Sequence, residues 1–140
     1  MKKSPLLLCD EIIGSSPYLL VKIIKNCQLS DALAHNGLVE TIKFLDLIAL
    51  LNQQLTPSII VDKIWHEFIL FTRIYTTMCA ERYDRYIHHN PGGSDVLNES
   101  NYKATIQYYT AEYGIPDPEF WGRLPDDYDG NCGSCSSETI

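Results

Sequence analysis

Apolar residues recur every three or four positions along almost the whole chain, and no segment alternates apolar with polar. That spacing admits helices and excludes half-buried strands. Leu38, Ile42, Leu45 and Ala49 mark one helical face, and Tyr102, Ile106, Tyr109 and Tyr113 mark another. Start and stop signals divide the chain. Ser16-Pro17 is an N-cap and first-turn pair for the helix YLLVKIIKNC. Ser30-Asp31 opens a short helix that Asn36-Gly37 is expected to end, and a third runs from Leu38 to about Gln53. Ser58 caps the next helix, Asn90-Pro91-Gly92-Gly93 breaks the chain, and Asn98 or Ser100 starts another helix that stops at Gly114-Ile115-Pro116. Pro118 to Trp121 forms a last turn. The expected fold is all-α, a compact bundle of about five helices around a central long helix at about 58–83.

A chain of 140 residues, 45% hydrophobic, suits one domain with a real core. We place that domain at residues 1–125 and read 126–140 as an acidic, Gly/Ser/Cys-containing tail expected to be disordered. The formal charge of −7 is concentrated at this end: residues 112–140 carry −6 and the remainder only −1. No basic stripe runs along any face, which argues against a nucleic-acid partner. The opening MKKSPLLLCDEII superficially resembles a signal peptide, but Asp10 and Glu11 break the apolar run and no small-residue cleavage site follows. No run approaches the roughly 20 apolar residues of a membrane span. The five cysteines are odd in number with one close pair, which suits a reduced, cytoplasmic protein better than a disulfide framework.

The chemistry-bearing residues gather between Val61 and Gly93. Trp65-His66-Glu67 has the first half of the zinc-protease helix motif, but that motif needs a second histidine where Leu70 stands, so it is excluded. A helix turns about 100° per residue. This puts Trp65, Thr72, Tyr75 and Cys79 on the inner arc, and Asp62, His66 and Arg73 on the polar flank. Asp62 and His66, four residues apart, are expected to pair. A carboxylate beside an imidazole orients the ring and raises its basicity, which serves a general base or a metal ligand equally. His88-His89 follows the helix. If the helix is continuous to Tyr83, these two lie too far away to share a site with His66; the meeting becomes easy only if the helix ends or kinks early, near Cys79. Cys132-Gly133-Ser134-Cys135 is half of a zinc site, which His88 and His89 would complete if the tail folded back.

Val61-Asp62, Trp65-His66, Ile69-Leu70, Thr72, Tyr75 and Cys79, followed by Ile87-His88-His89 and Pro91, form a pattern that resembles the glycine-rich domain-containing protein-like family. Pro57-Ser58 upstream and Tyr113-Gly114 with Phe120-Trp121 downstream fit as well, so the resemblance spans roughly residues 35–122. Many members carry a second histidine two residues after the first; here Phe68 stands there, so no ligand role transfers to that position. The glycine-rich and RNA-recognition-like segments of plant members have no counterpart, so RNA binding does not transfer either.

Three functions fit these residues. The leading one is a non-catalytic module that binds a protein partner. The second is a metal protein, zinc best matching the donors, using His66 or His88 and His89 with Cys132 and Cys135. The third is a small enzyme with an Asp62–His66 general-base pair and Arg73 nearby.

Overall fold

The structure, a computed structural model, describes residues 2–90 and 95–122. These build seven helices and no strand: α1 (Pro5–Ser15), α2 (Pro17–Cys27), α3 (Asp31–Leu51), α4 (Ile59–Leu70), α5 (Thr72–Tyr83), α6 (Asp95–Tyr113) and α7 (Pro118–Trp121). The all-α expectation holds. Among the described residues no helix is long and apolar enough to cross a membrane.

Local chemistry sets the boundaries. Ser4, Ser30 and Ser58 each accept a hydrogen bond from the backbone N–H three residues on, which satisfies one of the orphan donors at a helix start. Ser16 holds the N-cap position of α2, but there Pro17 rather than a side-chain bond favours the turn. Gln28, Asn52 and Asp84 close α2, α3 and α5 in the left-handed conformation. The segment that superficially resembles a signal peptide folds as α1, with Cys9 and Ile12 buried.

Two expectations are corrected. Asn36-Gly37 does not end a helix, and α3 runs unbroken through it. Gly37 serves a different need, because a methyl added there would overlap Ile64 Cδ1 of α4 and press on Phe120. The glycine lets two helices cross closely. The helix expected at 58–83 is instead two, α4 and α5, separated at Phe71, whose φ of −87° and ψ of 69° leave the helical region. Thr72, expected inside, becomes the first residue of α5 and is exposed. The central element is therefore α3, which buries eleven of its residues and packs against α1, α2, α4 and α6.

Two polar clasps fasten α5, α6 and α7 to α3. Asp46 receives a two-pronged hydrogen bond from Arg82 (2.7 and 2.8 Å) and a third from the Tyr83 hydroxyl (2.6 Å), which ties α5 down. Glu40, buried within α3, accepts from the Tyr109 hydroxyl at 2.5 Å and from Trp121 Nε1 at 2.9 Å. Lys43 supplies the countercharge at 3.3 Å and lies over the rings of Tyr109 and Tyr113. A buried carboxylate is tolerable only when paired and hydrogen-bonded in this way.

Candidate functional site

The break at Phe71 rearranges the motif residues. Ten residues separate Trp65 from Tyr75, which in a continuous helix is about 15 Å along the axis. Here the Trp65 indole donates to the Tyr75 hydroxyl at 3.0 Å. The same hydroxyl donates to the Ile87 carbonyl at 2.6 Å. Cys79 sits beside the Tyr75 hydroxyl and the Ile87 backbone, which partly oppose the upward push of burial on its thiol. Burial is also the main reason that Tyr75 holds its proton far above the usual range. Trp65, Tyr75 and Cys79 are all buried; Tyr75 and Cys79 meet the Ile87 backbone, and Trp65 joins them through the Tyr75 hydroxyl. They form a polar lock that fixes the residue just before His88-His89.

The lock delivers His89 to α4. Its Nε2 lies 2.7 Å from Asp62 Oδ1, and its ring meets the Trp65 ring edge-on at 4.6 Å. A carboxylate only accepts, so the proton sits on Nε2. The Asp62 hydrogen bond favours the imidazolium and raises the His89 pKa, with burial opposing it. The structure thus pairs Asp62 with His89, 27 residues away, and not with His66. His66 is exposed, its ring 6.3 Å from that of His89. Arg73 is exposed on the first turn of α5. His88 is exposed and packs its ring on Tyr86 at 4.6 Å.

Asp62 and His89 open onto a cleft of about 500 Å³, lined also by Trp65, Arg85, Tyr86, His88, Asn90 and Asn98. The α3–α4 connection also lines it, with Asn52, Gln53, Gln54 and Thr56. His66 and Arg73 are not part of the lining. The cleft mixes one arginine, two histidines, one carboxylate and several carboxamides with the rings of Trp65 and Tyr86. Carboxamides donate and accept at once, which suits a ligand carrying both kinds of group.

The motif and the lock fall within one family span. This chain belongs to the UCP032817-like family, whose model matches residues 23–109, well over half of the chain. The matched span of this UCP032817-like domain runs from within α2 to Tyr109 of α6 and so contains the lock, the Asp62–His89 pair and the cleft. It leaves out α1 and α7. No curated protein and no solved structure matches the chain.

Among the described residues, His66, His88 and His89 do not gather with another donor into a set able to hold one ion. Cys132 and Cys135, and with them the expected tail, lie outside the described residues. Sequence reasoning singled out Asp62, His88 and His89 but missed Arg85 and Asn98. Arg85 carries no local signal, since it lies just beyond a helix end and is placed by the left-handed cap at Asp84. Asn98 is buried in α6, and only the assembled fold reveals it.

Proposed function

We propose that this UCP032817-like domain is a non-catalytic binding module whose cleft takes a short polar segment of a partner protein, with a carboxylate of that segment meeting Arg85 and His89. The observation that carries this reading is the Asp62–His89 pair opening onto a cleft of about 500 Å³ lined by carboxamides. Such a volume falls within the range of small-ligand sites. Asparagine and glutamine side chains match the alternating donors and acceptors of a peptide backbone. Arg85 offsets Asp62, and protonation of His89, which the Asp62 hydrogen bond favours, makes the cleft locally cationic on an acidic chain. The motif shared with the glycine-rich domain-containing protein-like family supports the same reading, because its Trp65, Tyr75 and Cys79 serve positioning rather than chemistry. Free Cys9, Cys27 and Cys79 suit a reducing, cytoplasmic setting.

The test is nuclear magnetic resonance titration of the full chain with acidic peptides and their amidated, uncharged counterparts. The reading expects shifts centred on Asp62, Trp65, Arg85 and His89 for the acidic peptides, and their loss in Arg85→Ala. Shifts confined to the outer face of α1 and α2, or equal responses to charged and uncharged peptides, would overturn it.

A further inference from the structure

A second cluster of reactive side chains lies away from the cleft, where α1 packs on α3. Cys9, Asp10 and His35 bring one sulfur, one oxygen and one nitrogen donor within 4.8 Å of one another, the one group of three such residues among those described. We infer that these three residues form a site for a single divalent transition-metal ion, zinc or one of similar softness.

Helix geometry builds the donor set. Cys9 and Asp10 are consecutive on α1, and the 100° turn between them aims the thiol into the α1–α3 contact and leaves the carboxylate at its rim. Cys9 is fully buried and Asp10 exposed. His35, in the second turn of α3, is half-buried between them, its Nε2 2.7 Å from Asp10 Oδ1. Its other ring nitrogen lies 3.4 Å from Asn36 Oδ1. A ligating histidine characteristically holds an oxygen partner on the nitrogen that does not face the metal.

The donor types select the ion. A sulfur ligand disfavours magnesium and calcium, while the mixture of sulfur, imidazole and carboxylate is the zinc set. Bonds of about 2.0–2.3 Å at tetrahedral angles hold neighbouring donors about 3.3–3.6 Å apart. The Nε2···Oδ1 hydrogen bond therefore opens slightly when an ion replaces its proton, and the exposed Asp10 side chain has the freedom to give way. Binding releases the Cys9 thiol proton to solvent, and the imidazole gives up its Nε2 proton and takes the Nδ1–H tautomer, which donates to Asn36 Oδ1. Thiolate and carboxylate then balance the two positive charges, and water fills the fourth position. A thiol-nucleophile reading fits less well, because Cys9 Sγ points to the His35 carbonyl at 3.7 Å and not to the imidazole as its base.

Cobalt(II) titration of the full chain tests the assignment, since thiolate bound to tetrahedral cobalt gives a near-ultraviolet charge-transfer band and intense visible bands. A Cys132→Ser/Cys135→Ser variant removes the tail thiols. It is expected to show these bands, saturating at one equivalent and displaced by zinc. Cys9→Ser should abolish the charge-transfer band. His35→Gln and Asp10→Asn lie outside the core, and each should weaken cobalt binding more than about tenfold, a loss typical even of an outer partner, with the helical circular dichroism unchanged. Absence of the bands in the tail variant, their survival in Cys9→Ser, or unchanged affinity in both His35→Gln and Asp10→Asn would overturn the site.

Discussion

The Tyr75 hydroxyl, on a fully buried side chain, has two obligations, accepting from Trp65 and donating to Ile87. Tyr75→Phe leaves an indole N–H and a backbone carbonyl buried without that partner. At about 1–3 kcal/mol per orphaned group, the variant is expected to lose about 2–6 kcal/mol of stability by chemical denaturation. A smaller loss, of the size expected for an ordinary surface change, would mean that Ile87 is not held by this lock. His89 makes a pH-dependent contribution. Its folded pKa is raised, chiefly by the Asp62 hydrogen bond. Its stabilising effect is therefore complete below the unfolded value of about 6.5 and fades as pH rises through the higher folded value. Asp62 is more than a third exposed, so the effect amounts to about 1 kcal/mol or less. Urea midpoints of the wild type and His89→Gln should differ most in mild acid and converge in mild alkali. A gap constant across that range would count against the ion pair. At this scale the sequence was informative about residue types and silent about partners. The motif named Asp62, Trp65, Tyr75, Cys79 and His89, but helical spacing could offer Asp62 only its neighbour four residues on.

Elements account for that gap. Trp65 and Phe68 precede the break at Phe71 and Tyr75 and Cys79 follow it, and both halves have correct helical periodicity. Nothing in the local spacing separates them, and no glycine or proline marks the boundary. The break is decided by tertiary hydrogen bonds that a continuous helix could not form. Gly37 misleads for the complementary reason: locally it reads as a stop, while its use is the close crossing of α3 and α4. Gly37→Ala offers a clear test because two effects oppose. Alanine gains up to about 1 kcal/mol of helix propensity. Against this, the added methyl would overlap Cδ1 of the fully buried Ile64, and overpacking of this kind costs about 1–3 kcal/mol. Net destabilisation in thermal unfolding is expected, whereas a stabilised variant would show that the crossing has slack. The capping serines and the buried stripe of Tyr102, Ile106 and Tyr109 were legible, since both depend on neighbours within a few positions.

Across the whole molecule, the Glu40 cluster joins the middle of the chain to its last described helix. Trp121 lies 81 residues from Glu40 and Tyr109 lies 69. Trp121→Phe keeps most of the apolar contact and removes one donor from a buried carboxylate. A loss of about 1.5–3 kcal/mol is expected, the range for hydrogen bonds to charged groups, with unfolding still a single transition. An unchanged denaturation midpoint would assign the holding of Glu40 to Tyr109 and Lys43 alone. No reading of periodicity could have exposed this cluster, because Glu40 sits in an otherwise ordinary helical segment and its donors are defined only after folding. The same arrangement bears on how the protein is made. A chain emerging from the ribosome presents α3 long before α6 and α7, so through most of synthesis Glu40 has only Lys43 at hand. The carboxylate that the finished core encloses must, during that interval, stay in water or lean on Lys43 alone, because its two buried donors belong to α6 and α7. Enclosure of Glu40 thus waits on α6 and α7, the last two of the described helices.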